Sequence, residues 1–188
     1  VVAIRLRRPS PDAIADLVNG CAADHLTYEP VGISLGTTVP AGFRRQRWSV
    51  ELHGAQAFDR AVAAIRGWEV HRGSGLAVVA DGSLAVGTNV IITAPLPIGC
   101  VDVVCRIVAV IDEADRFGFA YGTLSVHPEQ GEEAFVVSRS LDGSVTFFVE
   151  AVSRSAFRLG RLVPFVTDQL QDQANNRYLR AMERAVAN

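Results

Sequence analysis

The chain has 188 residues, 49% of them hydrophobic, with 18 Lys+Arg against 20 Asp+Glu and a formal net charge of -2. A chain of this length buries roughly 70% of its unfolded surface, and the balanced charge gives no electrostatic reason to expect nucleic acid or an anionic membrane as partner. Every basic residue is arginine, with no lysine between Val1 and Asn188; within these residues a Schiff-base or pyridoxal-phosphate lysine and a lysine-dependent phosphate loop are ruled out.

Val1 to Arg8 places Arg5, Arg7 and Arg8 after a short apolar start. That order is wrong for a secretion signal and reads as a strand. Ser10-Pro11-Asp12 before Ile14, Leu17 and Val18 predicts a helix start, with a capping residue, a first-turn proline and an apolar stripe. Thr27 to Gly42 is broken by glycines and prolines without a period and reads as a long connection. Phe43 to Leu52, carrying Arg44, Arg45, Arg47 and Trp48, reads as a strand, and Gln56 to Arg66 as a helix that buries Phe58, Ala61, Val62 and Ile65 and stops at Gly67.

Beyond Gly67 the period changes to two. Candidate strands are Trp68–His71, Leu76–Ala80, Asn89–Thr93, Val101–Ile111, Phe117–Leu124, Glu132–Ser140 and Ser144–Ser153. Asp81-Gly82 and Asp142-Gly143 are hairpin-type dipeptides, so neighbouring strands are expected to pair antiparallel. The uncharged run from Gly82 to Val101 reaches membrane-span length but is interrupted by Gly87, Asn89, Pro95, Pro97 and Gly99, so no integral membrane insertion is expected. From about Ser155 to Ala187 helical spacing returns, with Leu159, Val163, Val166, Leu170, Ala174, Tyr178 and Ala181 on one face. Pro164 is expected to kink or split that helix.

A strand, a helical segment, a run of antiparallel strands and a long terminal helix is the element order of the helix-grip fold, and the chain resembles the START and Bet v 1-like superfamily in that respect. The expected class is α+β, a curved antiparallel sheet around the carboxy-terminal helix, with residues 1–27 as an amino-terminal arm and 28–188 as one domain. If Val137 pairs with Phe147 across the Leu141–Gly143 turn, alternation puts Phe119, Tyr121, Thr123, Glu133, Phe135, Val137, Arg139, Val145, Phe147, Val149 and Ala151 on one face. The opposite face receives Gly118, Ala120, Gly122, Ala134, Ser138, Thr146, Phe148 and Glu150, smaller and more polar, so the first face is expected to meet the helix.

The stretches Phe117-Gly118-Phe119-Ala120-Tyr121-Gly122-Thr123-Leu124 and His127-Pro128-Glu129-Gln130-Gly131-Glu132-Glu133-Ala134-Phe135 resemble the signature of a widespread family known as a domain of unknown function. Cys105-Arg106, Ala151-Val152-Ser153-Arg154, Gln171 and Arg177-Tyr178-Leu179 add to that resemblance, which runs from about Tyr28 to Met182. Ser125-Val126 and Ser155 depart from the pattern. The resemblance implies the helix-grip fold and no particular catalysis.

His127, Glu129, Glu132 and Glu133 are of metal-ligand type, but alternation sends Glu132 and Glu133 to opposite faces and no metal is expected. Cys21, Cys100 and Cys105 form no CxxC and are expected to be free thiols, the latter two buried; they suit a reducing, cytoplasmic setting. His25, His53 and His71 have no partner at catalytic spacing. Arg44, Arg45 and Arg47 with Phe43 and Trp48 read as a solvated strand edge rather than a nucleic-acid surface, and Gly73-Ser74-Gly75 lacks the context of a phosphate loop. Whether Arg106 shares the face of Glu133 depends on a register shift the sequence does not reveal.

The expected function is binding of an apolar or amphipathic small molecule between sheet and terminal helix, with no cofactor. Phe119, Phe135, Phe147 and Val149 are expected to form its apolar lining, and Tyr121, Thr123 and Glu133 its polar end. Two alternatives stay open: a cofactor-independent acid-base enzyme of cyclase or hydrolase type in the same cavity, and an interaction protein with no ligand. The oligomeric state is not legible.

Overall fold

In the computed structural model of the chain the described residues are 3–5, 16, 17, 20, 21, 23–125, 127–155 and 164–187, with 3–5 and 164–173 described by backbone alone. They form β1 (Ala3–Arg5), β2 (Arg44–Leu52), α1 (Ala57–Arg66), α2 (Glu69–Gly73), β3 (Ala77–Ala80), β4 (Asn89–Pro95), β5 (Cys100–Asp112), β6 (Arg116–Thr123), β7 (Glu129–Arg139), β8 (Val145–Ser155) and α3 (Pro164–Ala187). The expected amino-terminal helix, apart from Asp16, Leu17, Gly20 and Cys21, lies outside the described residues, as do Leu159 and Val163 of the terminal stripe.

The strands make one curved antiparallel sheet in the order β2-β8-β7-β6-β5-β4-β3. β6 pairs with β5 only from Cys105 to Asp112, and β1 takes part of the edge left free, Arg5 lying opposite Cys100. The long connection before β2 is irregular, as its glycines and prolines require. The expected pairing of Val137 with Phe147 is found, and Phe119 with Phe135 and Tyr121 with Glu133 follow it across the neighbouring ladder. Short hairpins leave little freedom of register, and period-two alternation then fixes the face of every side chain.

α1 arises where the apolar period becomes helical. Phe58, Ala61 and Ile65 are buried on the inner face of the sheet, and the Gly67 amide closes the helix on the Ala63 carbonyl. The expected strand at Trp68–His71 is instead α2. Trp68 adopts a left-handed conformation (φ 58°, ψ 21°) that turns the chain from α1 into the next helical turn. The same alternation of residue types serves one short helical face, with Val70 and His71 buried and Glu69 and Arg72 exposed. Gly73 permits α3 to lie close by, because a β-carbon there would stand 3.0 Å from the Ala181 β-carbon.

The described part of α3 runs from Pro164, and the expected kink or split at Pro164 involves residues that lie outside the described ones. Tyr178, Met182 and Val186 of α3 are buried with Phe117, Phe119, Phe135 and Phe147 in the main core. On the other side of the sheet Ala120, Ala134, Val136 and Phe148 form a second apolar layer with Leu35 against it, and Tyr28 and Ile33 pack on Val152. The connection before β2 therefore covers part of a face expected to be polar. Cys21, Cys100 and Cys105 are buried free thiols, and no helix among the described residues is long and apolar enough to cross a membrane.

Candidate functional site

The inner face of β6, β7 and β8 reads as a series of rows across the three strands. Phe117, Val137 and Phe147 form one row, Phe119, Phe135 and Val149 the next, then Tyr121, Glu133 and Ala151. Thr123, Gly131 and Ser153 lie beyond. Side chains lose apolar bulk along this series. The first two rows are filled and fully buried beneath the helices, and where bulk gives way to Ala151, Ser153 and Gly131 a cleft of about 860 Å³ opens.

Leu76, Ile92, Ala94 and Val103 supply an apolar wall from the far side of the sheet, and Ala174, Asn175 and Tyr178 of α3 border the cleft as well. Gly131 makes the narrowing possible. Its φ is 150° and its backbone passes so close to the Val152 carbonyl that a β-carbon would collide with it. The loop between β6 and β7 brings His127 and Pro128 to the same cleft, and Glu129 joins them from the start of β7. Burial holds the His127 imidazole down to about 4, and its Nδ1 accepts the Glu129 amide hydrogen at 3.0 Å.

Of the seven expected lining residues, Tyr121, Thr123 and Glu133 border the cleft, whereas Phe119, Phe135, Phe147 and Val149 belong to the packed core. That placement has a physical reason: α1 and α2 settle on the first two rows and fill the space that alternation alone left open. Thr123 is engaged within the protein, accepting the Gly131 amide hydrogen at 3.0 Å and lying 2.6 Å from the Thr27 hydroxyl. The Tyr121 hydroxyl donates to Oε2 of Glu133 at 2.6 Å.

Glu133 is half-buried, and burial raises its carboxyl to about 7; the Tyr121 hydrogen bond opposes that rise and nearby Glu129 adds to it. Burial likewise pushes the phenols of Tyr121 and Tyr178 well above their usual range, with the Glu133 charge adding to both. Such a pair combines an acceptor, a donor and a carboxyl that exchanges its proton near neutrality.

Glu132, its neighbour, turns to the outer face. Its Oε1 accepts from the Tyr28 hydroxyl at 2.7 Å and the Gly32 amide at 2.6 Å, its Oε2 from the Ser34 amide at 2.9 Å and hydroxyl at 2.8 Å. Arg106 also lies away from the cleft. A bulge between Ile107 and Ala109 shifts the register so that Ile107 stands opposite Tyr121 and Arg106 opposite Gly122. Its guanidinium then reaches Asn89 Oδ1 and the carbonyls of Asp24 and Cys21. Arg45 and Arg47, expected at a solvated edge, pair with Glu150 at 3.1 and 3.2 Å.

His71 was not expected at the site and sits directly behind it. The ring is fully buried, 4.5 Å from Phe135, 5.1 Å from Trp68 and Tyr178 and 6.0 Å from Tyr121 between centroids. Nε2 has no hydrogen-bond partner, and burial, with a smaller contribution from Arg72, lowers the imidazole to about 3. No spacing within the sequence signals this cluster, because its members come from α2, β6, β7 and α3.

Residues 27–181 match the family described as a domain of unknown function, DUF1990. The UPF0548 protein of Deinococcus radiodurans is 29% identical over 192 residues, covering 96% of this chain and 97% of that protein. Among solved structures, that of Ara h 8.0201 superposes with a TM-score of 0.56 at 17% identity, over 78% of this chain and 99% of the other. Ginseng major latex-like protein 151 from Panax ginseng gives 0.51 at 15% identity, over 77% and 95%. At these identities the likeness concerns the fold, which is the expected helix-grip, Bet v 1-like α+β arrangement.

Proposed function

The chain belongs to the DUF1990 family, and from that premise we propose that it is a small-molecule-binding module that takes an apolar or amphipathic ligand into the cleft beside the inner sheet face and α3. One observation carries this reading: three adjacent strands lose apolar bulk in register and leave about 860 Å³ beside an apolar wall, with one hydrogen-bonded polar pair at its inner end. A few placed polar groups in an apolar concavity are what orients a small ligand. In this assignment Leu76, Ile92 and Val103 contact the apolar body and Tyr121 and Glu133 orient it. Phe119, Phe135, Phe147 and Val149 support the floor from behind. Thr123 holds the strand end that shapes the entrance to the polar pair.

A titration with the neutral fluorophore N-phenyl-1-naphthylamine tests it. Binding is expected in wild type, and Ala151→Phe, which fills the cleft, is expected to weaken it at least about tenfold while leaving the melting temperature within a few degrees. Equal binding by both proteins, or none by either, would reject the cleft as the site. The second reading, acid-base catalysis in the same cleft, is favoured by the carboxyl of Glu133 standing at about 7, where a group both takes and gives protons at neutral pH.

A further inference from the structure

We propose, building on that binding role, that the ligand is a cationic amphiphile, an amine whose ammonium group docks on Glu133 beside the rings of Tyr121 and Tyr178 while its apolar body lies along Leu76, Ile92 and Val103. The first ground is the unmatched carboxyl. Oε2 of Glu133 receives the Tyr121 hydroxyl, and among the described residues Oε1 accepts no hydrogen bond and Glu133 has no ion pair. A half-buried carboxylate with one oxygen open to the cleft is stabilised by a cation that reaches it.

The second ground is the sign of everything around it. Tyr121 from β6, Tyr178 from α3 and Cys105 from β5 have their acidic protons held on more tightly than usual, by burial foremost, so they stay neutral. His71 from α2 and His127 from the loop before β7 are held neutral in the opposite direction. Glu129, on the same strand as Glu133, adds negative charge and raises it. Among the described residues the arginines bordering the cleft are Arg44 of β2 and Arg154 of β8. Arg44 stands in register with Ser153, one row from Ala151 and Glu133; Arg154 bonds Gln130 at 2.9 Å and lies 4.6 Å over the Phe43 ring. Among the described residues these two arginines are the cations at the cleft, and neither of them acts on Glu133, so its carboxyl offers negative charge to a ligand.

The third ground is aromatic. Two phenols border the cleft beside the carboxyl, and aromatic rings near an ammonium group attract it, more strongly once water is excluded. An anionic amphiphile meets Glu133 and Glu129 instead, and a neutral alcohol gains one hydrogen bond without charge compensation.

Three probes with the same ten-carbon chain separate these cases: decyltrimethylammonium, decanol and decanoate, each below its micellar concentration, displacing N-phenyl-1-naphthylamine from the full chain. The quaternary probe keeps its charge at every pH, so any pH dependence belongs to the protein. At pH 8 it is expected to bind about tenfold more tightly than decanol, and the advantage is expected to shrink toward parity at pH 5.5 as Glu133 takes up its proton. Glu133→Gln is expected to bring the ammonium and alcohol probes within about threefold of each other at both pH values. Decanol binding with no preference for the cation, or a preference for decanoate, overturns the cationic assignment and leaves the binding module standing. Failure of all three to displace the fluorophore overturns both. The wild-type pH profile decides the matter even if Glu133→Gln folds poorly.

Discussion

Glu132 and Glu133 adjoin in the chain and face opposite sides of the sheet, and their surroundings differ as much as their directions. Glu132 is 2% exposed and accepts four hydrogen bonds, all from the connection that precedes β2. Glu133 accepts one, from the tyrosine beside it. The first carboxylate holds the connection on the outer face; the second is left for the cleft.

The Glu132 cluster leads to a stability prediction. Glu132→Ala removes the acceptor of two amides and two hydroxyls, and buried donors that lose a charged acceptor cost more than ordinary hydrogen bonds. A loss of about 3 to 5 kcal/mol is expected in urea unfolding, with amide exchange of Gly32 and Ser34 accelerated more than that of Phe135. A loss below about 1 kcal/mol would show that the connection is held by packing alone.

Glu133 sets an alkaline limb to stability. Its carboxyl is raised from 4.5 to about 7 on folding, so the folded chain binds the proton more tightly. The stabilisation is complete below pH 4.5 and is lost as pH rises through about 7, at up to about 1.4 kcal/mol per pH unit. Glu133→Gln lacks this limb. The difference in unfolding free energy between variant and wild type is expected to move in the variant's favour between pH 5 and pH 8; a difference independent of pH would mean that the carboxyl is not raised.

His71 sets an acid limb of opposite sign. Its imidazole is lowered from 6.5 to about 3 on folding, so the contribution is fully present above pH 6.5 and lost as pH falls toward 3. Phenylalanine fits an aromatic surround and removes the unpaired Nε2. His71→Phe is expected to be at least as stable as wild type at pH 7 and clearly more stable at pH 4, measured by thermal unfolding at both. Greater sensitivity of the variant to acid would show that the ring is charged in the folded protein.

The sequence made the inner face of β6, β7 and β8 legible because Leu141–Gly143 closes a short hairpin and each strand alternates strictly. Phe119 opposite Phe135, and Glu133 opposite Ala151, needed nothing more than that. Not legible were features decided by contacts between distant segments. Phe147 and Val149 read as lining because nothing in the chain says where α1 will settle. Arg106 depended on a bulge two residues away, and the Tyr28–Glu132 bond joins positions 104 apart. Trp68 read as the start of a strand because a left-handed residue at a helix start leaves no periodic mark.

The pairing of β2 with β8 fixes an order of events for the chain as it is made. Arg47 and Glu150, partners on that ladder, lie 103 residues apart, so β2 emerges from the ribosome long before its neighbour among the described strands exists. Long-range closure of this kind slows folding and leaves strand edges exposed to other chains meanwhile. Three arginines among nine residues of β2 give the waiting strand like charges that discourage pairing with a second copy of itself. When β8 arrives, Glu150 receives two of them, so the groups that protect the nascent strand also mark its correct partner.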